Sequence, residues 1–410
     1  MSLKRKIVVS VGWVALLRYS SRFIDLFKYF LLTRILTQSD IGTFVLTTTL
    51  VITFEALSDT GLQYAFIQKQ TNIRLYAKTL WVISILRGVV LGCIIFLTAG
   101  IFSSFFNSPS LYLLLLLISL VPIIKGFQSP YTLLFQKNLT FHKEFVFRFL
   151  PVVITSITSI ILAFIFRNTT VLVIAIIIGN IAEVFASFVV TKTTFPYPFS
   201  IKRAIRLFHY GKYLTFGGIF TLLMTQADSL FVGRVFGTSS LAIYELAFKL
   251  ANVAFSEVTD VISRVSFPVF SKFQKNKSQL LTMFQINTLV VSIPAIVALI
   301  VFLVFPSFVL TTAFGDAYKS GAIILQILAF YGLLRAIVGP TGPLFLAVGK
   351  PIVLTIMNIL NFVLLIVLLF PFSQSFGLSG VALSMTISYL LVQPYLFYQL
   401  HLLYRNTKVS

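Results

Sequence analysis

Cysteine is nearly missing from this chain: Cys93 is the only one. No disulfide can therefore close within the chain, and no thiolate cluster can hold zinc or iron. The three histidines, His142, His209 and His401, are too scattered for a metal site, so neither metal nor cofactor is expected. Carboxylates are scarce, with 11 Asp and Glu against 32 Lys and Arg. The phosphate loop GxxxxGK[ST], the zinc helix HExxH and the nucleophile elbow GxSxG are all absent. Nothing in the sequence is equipped to break bonds, and the chain is read as no enzyme.

Charge of either sign is also rare, at 10% of 410 residues, where a soluble protein carries about 25%. What is there instead is apolar: 58% of the residues are hydrophobic. The runs between polar turns are long enough to cross a bilayer, which takes about 20 helical residues. They predict an all-α, polytopic membrane protein with twelve spans near 7–36, 41–66, 78–105, 111–135, 144–166, 170–191, 207–236, 239–270, 279–306, 320–346, 351–371 and 378–402. In a soluble protein the basic excess would suggest nucleic acid; here it points to cytoplasmic loops and anionic headgroups.

Loop charge predicts the orientation. Lys4-Arg5-Lys6, Lys69 and Arg74, Lys137 and Lys143, Lys192 to Lys212, Lys272 to Lys277, Lys350, and Arg405 with Lys408 all fall on one side. The opposite loops hold only Arg34, Arg167, Arg234 and Lys319. Both termini are thus expected in the cytoplasm. The longest cytoplasmic connection divides the chain into an N-terminal lobe (1–192), a basic linker (193–206) and a C-terminal lobe (207–410). At an offset of 200 residues, Arg34, Ser39 and their apolar neighbours lie over Arg234 and Ser239, and Pro151 lies over Pro351. Six spans per unit imply a parallel repeat, two six-helix lobes around a central cavity, with the substrate site between them.

The first run carries the most telling charges. At 100° per residue, Arg18, Ser21, Arg22, Asp25 and Tyr29 share one face with Lys28 at its border, and Leu16, Phe23, Phe27 and Leu31 lie opposite. Arg18 stands about 16 Å along the axis from Ile7, near mid-membrane. A charge there costs about 2.5–3.5 kcal/mol, so this face should meet protein or water rather than lipid. In the eighth span Glu245, Lys249, Asn252, Ser256, Asp260 and Ser263 form a second polar face. Glu55 and Asp59 in the second span either carry an ion, H+ or Na+, or pair with Arg18 or Arg22. Arg87, Lys125 and Arg335 add basic groups at depth, and Asp228 and Glu183 acidic ones. Arg335 precedes Gly339-Pro-Thr-Gly-Pro343, which cannot continue as regular helix.

Two segments then resemble a known family. Arg34-x-Leu36, Asp40-x-Gly42-x-Phe44, Asp59-x-Gly61-Leu62 and Ile67-Gln68 are similar to the start of oligosaccharide flippases. These are the polysaccharide-transporter branch of the multidrug/oligosaccharidyl-lipid/polysaccharide exporter superfamily, including the Wzx-type O-antigen repeat-unit flippases. Asp228-Ser-Leu-Phe-Val-Gly-Arg234-x-x-Gly237…Tyr244 resembles the segment that opens their second lobe. Gln38 and Ala242 depart from the pattern, where proline and glycine are usual. The resemblance implies two lobes working by alternating access in a bacterial inner membrane, with a polyprenyl-diphosphate-linked oligosaccharide as cargo and a downstream polysaccharide polymerase as a contact. For such a cargo, the polar groups read within the spans offer Arg18, Arg22, Asp25, Lys28, Arg87, Lys249, Asn252 and Arg335 as the binding set. Glu55, Asp59, Asp228, Glu245 and Asp260 are left to ion coupling or structural pairing. The rival readings are an ion-coupled drug or metabolite antiporter of the same superfamily and a membrane-embedded polymerase.

Overall fold

The computed structural model describes residues 3–58, 73–138, 140–193, 225–273 and 276–405. From residue 194 on, the expected linker lies outside the described residues, as do most of the expected seventh span and the motif Asp59 to Gln68. The regular structure of the described residues is all helical, joined by short turns. We label α1 Leu3–Ile35, α2 Gln38–Leu57 and α3 Ile73–Phe105, with α4 in two pieces, Pro109–Ile118 and Leu120–Gly126. Then come α5 Phe141–Phe166, α6 Thr170–Thr191, α7 at 225–235, α8 Gly237–Phe273, α9 Lys277–Val304 and α10 Ala322–Val338. The last helical stretch, Pro351–Arg405, breaks at Gly377 into α11 (351–376) and α12 (378–405).

Local chemistry sets the ends. Thr37 accepts the Asp40 N–H at 3.2 Å while Asp40 accepts the Thr37 N–H at 3.1 Å, a reciprocal cap that starts α2. Asn276 does the same one-sidedly for α9 through the Gln279 N–H at 3.1 Å. The expected fourth span ends early, at Gly126 rather than 135. Pro130 cannot donate a helical hydrogen bond, and a short 3-10 turn, Pro130–Leu133, follows. The Gly339-Pro-Thr-Gly-Pro segment also ends a helix as anticipated: α10 stops at Val338 and a short helix, Thr341–Ala347, resumes.

Eight helical stretches among the described residues are long and apolar enough to cross a membrane, the α11–α12 pair counting as one. Their outer faces are greasy. On α9, Leu289, Ile293, Ile296, Ile300 and Val304 are exposed at helical spacing. Such a stripe would be an aggregation liability in water and faces hydrocarbon here. α1 and α8 are just as long but carry charge along one face.

Two compact units emerge: Met1–Gln226 with Gly233–Ala242, and Ala227–Val232 with Ile243–Ser410. In the first, small residues set the packing. A Cβ on Gly88 would stand 2.3 Å from the Pro122 carbonyl oxygen, and one on Gly126 2.8 Å from that of Ser84. α3 and α4 therefore touch backbone to backbone. The start of α8 packs into this unit: the Thr238 carbonyl oxygen would meet a Cβ on Gly42 at 1.7 Å, and the hydroxyls of Ser39 and Thr238 lie 3.1 Å apart. In the second unit Phe270, Phe284, Leu344, Phe345 and Leu396 form the core.

Candidate functional site

The two faces of α1 are sorted in part: Arg22 is exposed and Leu31 half-buried. Leu16, Phe23 and Phe27 point outward, Phe23 with 71% of its surface open. Tyr29 is buried, and Asp25 and Lys28 join in an ion pair at 2.8 Å. Lys28 also stands 5.0 Å over the Tyr29 ring. Arg18 is half-buried and Arg22 exposed. α1 leans on α5, where Trp13 meets the Phe145 ring at 5.3 Å.

A second cluster lies inside the first unit, around Glu55. The Lys125 ammonium lies 2.9 and 3.2 Å from the two Glu55 oxygens. Arg87 donates Nη2–H to the Glu55 carbonyl oxygen at 2.6 Å and Nε–H to the Ser58 hydroxyl at 2.9 Å. Arg87 thus helps to close the C-terminal end of α2, where helix carbonyls lack internal donors, while Lys125 holds the Glu55 carboxylate. Arg148 donates to Glu144 at 3.0 Å across one turn of α5. These groups and Glu183 of α6 line a cavity of about 460 Å³. Among the described residues Glu55 joins Lys125 through its carboxylate and Arg87 through its carbonyl oxygen. Its expected neighbour Asp59 lies outside the described residues.

The second unit holds a carboxylate of another kind. Asp228 on α7 is only 2% exposed. It accepts the Tyr244 hydroxyl at 2.8 Å, and that hydroxyl also lies 3.1 Å from Met385 Sδ on α12. Asp228 Oδ1 has no hydrogen-bond partner among the described residues. Ser229 donates to Glu245. Nearby, Tyr331 meets Tyr389 edge-on at 5.5 Å, and Arg335 stands 5.6 Å from the Tyr331 ring. Lys249 and Asn252 are half-buried on α8, and the Asp260 side chain lies outside those described. No three metal-ligating side chains come together among the described residues.

The chain's own pairings thus bring Asp25 to Lys28, Glu55 to Arg87, and Asp228 to Glu245 through the α7–α8 turn. Sequence reasoning left Lys125, Glu144, Arg148 and Glu183 out of the site. The available signal was the pair Arg87-Gly88 and Lys125-Gly126, each a base beside the glycine at which α3 and α4 touch.

Comparison with known proteins bears on the fold and the family. The lipopolysaccharide biosynthesis protein WzxC of Escherichia coli K12 is 25% identical over 395 residues, covering 96% of this chain and 80% of WzxC. Among solved structures, the lipid II flippase MurJ in an inward closed conformation superposes with a TM-score of 0.75 at 16% identity, over 94% of this chain and 87% of MurJ. An inward-facing multidrug resistance MATE family transporter of the MOP superfamily gives 0.74 at 14% identity, over 97% of this chain and 99% of the other. The polysaccharide biosynthesis protein family matches residues 31–322, and the chain belongs to that family.

Proposed function

We propose that this chain is a flippase that moves polyprenyl-diphosphate-linked oligosaccharide repeat units across the bacterial cytoplasmic membrane by alternating access. Its product would serve surface polysaccharide: O-antigen, capsule or exopolysaccharide. The observation that carries the reading is α1, which holds Arg18, Arg22 and Lys28 within the membrane against one carboxylate, Asp25, itself bound to Lys28. A diphosphate is matched by such a face, because guanidinium groups grip its oxygens in bidentate fashion. In the second unit, half-buried Lys249 and Asn252 and exposed Arg335 are the candidates for polar contact with a glycan. Arg87, built into the Glu55 cluster, is assigned there rather than to cargo. The family and the similarity to a lipid II flippase support the same reading. The basic loops support a topology with both termini in the cytoplasm. Asp228 and Glu245, whose hydrogen bonds come from the neutral Tyr244 and Ser229, are the groups suited to a coupling H+ or Na+.

The test is the Arg18→Ala, Arg22→Ala double mutant, followed by mass analysis of lipid-linked sugars, surface polysaccharide and membrane protein level. Removing mid-span arginines eases insertion by about 2.5–3.5 kcal/mol each, so the protein should reach the membrane while repeat units accumulate. Normal export would eliminate the grip. If Arg22→Ala lowers protein level and adding Asp25→Ala restores level and export, Arg22 is structural. Sensitivity to drugs with unchanged polysaccharide would favour antiport instead.

A further inference from the structure

The cavity inside the first unit carries six charges, and their pairing is incomplete. Lys125 is committed to both oxygens of Glu55, and Arg148 to Glu144. Two groups of opposite sign remain. Arg87 has no carboxylate partner among the described residues; its bonds go to a carbonyl oxygen and a hydroxyl, leaving the rest of its donor fork open. Glu183 accepts no hydrogen bond there, although Lys125 and Arg148 are near enough to act on it through their fields. Both line the cavity. Charges withdrawn from water need hydrogen-bonded counter-charges.

We propose that this cavity binds a phosphoethanolamine group, its phosphate on Arg87 and its ammonium on Glu183, delivered by a phosphatidylethanolamine of the bilayer or by a soluble phosphoethanolamine ester. The six charges sum to zero, three Lys or Arg against three Glu, which argues against a simple ion of either sign. An anion alone would face Glu183 without a counter-charge. A cation alone would meet Arg87, Lys125 and Arg148. A zwitterion answers both. The ammonium must carry N–H groups, because Glu183 can only accept, so a trimethylated choline head does not satisfy it.

The walls favour the lipid source. Ile52, Leu91 and Leu133 line the cavity beside the charges, and Ile52 is 47% exposed, an apolar margin along which an acyl chain can lie. The depth agrees. Lys125 is in the last turn of α4, Arg148 in the second turn of α5, and Glu183 about 12 Å from the end of α6 at 1.5 Å per residue. All three lie towards the end of the unit that carries the basic loops, the level of inner-leaflet headgroups. The site is separate from the cargo face of α1, and its test needs no transport.

The experiment is native mass spectrometry of the full chain taken from vesicles of equal phosphatidylethanolamine, phosphatidylglycerol and phosphatidylcholine. The expected result is about tenfold preferential retention of phosphatidylethanolamine, which corresponds to about 1.4 kcal/mol. Glu183→Gln and Arg87→Gln should each abolish the preference while leaving the Glu55–Lys125 pair in place. Addition of soluble glycerophosphoethanolamine distinguishes the sources: displacement shows that the headgroup suffices, and persistence that the acyl chains are needed. Equal retention of the three lipids by the wild type, or an unchanged preference in Glu183→Gln, overturns the proposal. So does a cavity that retains no lipid and no soluble ester. The wild-type comparison decides even where a variant fails to fold.

Discussion

The two units keep their membrane-embedded charges in different ways. In the first, two carboxylates are answered by cations, Glu55 by Lys125 and Glu144 by Arg148, around a cavity that leaves the Lys125 side chain 41% exposed. In the second, Asp228 is sealed in and held by neutral donors, with Tyr244 as its principal partner. The contrast separates a charge network tolerant of water from a carboxylate stripped of it. Ion pairs beside an open cavity are adjustable and screened; a buried carboxylate with hydroxyl partners stands or falls with each bond.

Four experiments would break or sharpen that contrast. Gly88→Val should have the largest effect. It drives a side chain into the Pro122 carbonyl, parts α3 from α4, and lowers stability by about 3 kcal/mol, read as a fall in the Tm of the detergent-solubilised protein. Tyr244→Phe comes next. It strips the donor from a buried carboxylate, at about 2 kcal/mol, and the double change with Asp228→Asn should recover most of the loss. A wild-type Tm in the single mutant would place water or an ion on Asp228 instead. Lys125→Met should cost no more than about 1 kcal/mol, because its pair is partly open to solvent. An effect as large as that of Tyr244→Phe would erase the distinction between the units. Raising KCl should give the smallest change: it should shrink the Lys125→Met difference and leave the Tyr244→Phe difference unmoved.

Much of the fold was legible because helices advertise themselves locally. The sixth span, expected at 170–191, is α6 at Thr170–Thr191, bounded by a change of composition at both ends. The reciprocal cap at Thr37 and Asp40 is written within four residues. The offset of 200 residues pairs like positions at one point and unlike positions at another. Arg34 and Arg234 each lie in the last turn of a helix, over Phe30 at 3.7 Å and Phe105 at 4.7 Å. The two prolines do not correspond: Pro151 sits inside α5, whereas Pro351 opens α11. The site resisted for a different reason. Glu55 and Lys125 are 70 residues apart, and no periodicity on either helix announces that they meet. Only the close approach of α3 and α4 puts Lys125 beside Arg87, and a glycine in an apolar run does not say which backbone it will touch. The spacing rule on α1, by contrast, needs one helix alone, and its outward Leu16, Phe23 and Phe27 followed from it.

The hinge between α11 and α12 has a consequence for the phase of the last helix. Gly377, at φ 60° and ψ −138°, is a single-residue turn, and a Cβ on Gly380 would stand 1.9 Å from the Phe372 carbonyl oxygen. There is no loop to take up slack, so the turn acts as an angular index for α12. One inserted residue would rotate that helix by about 100°. Its buried row, Val381, Ser384, Met385 and Ser388, would swing toward hydrocarbon, and Met385 would leave the hydroxyl that it shares with Asp228. The environment of a carboxylate on α7 is thus timed by the count of residues around a glycine roughly 150 positions away.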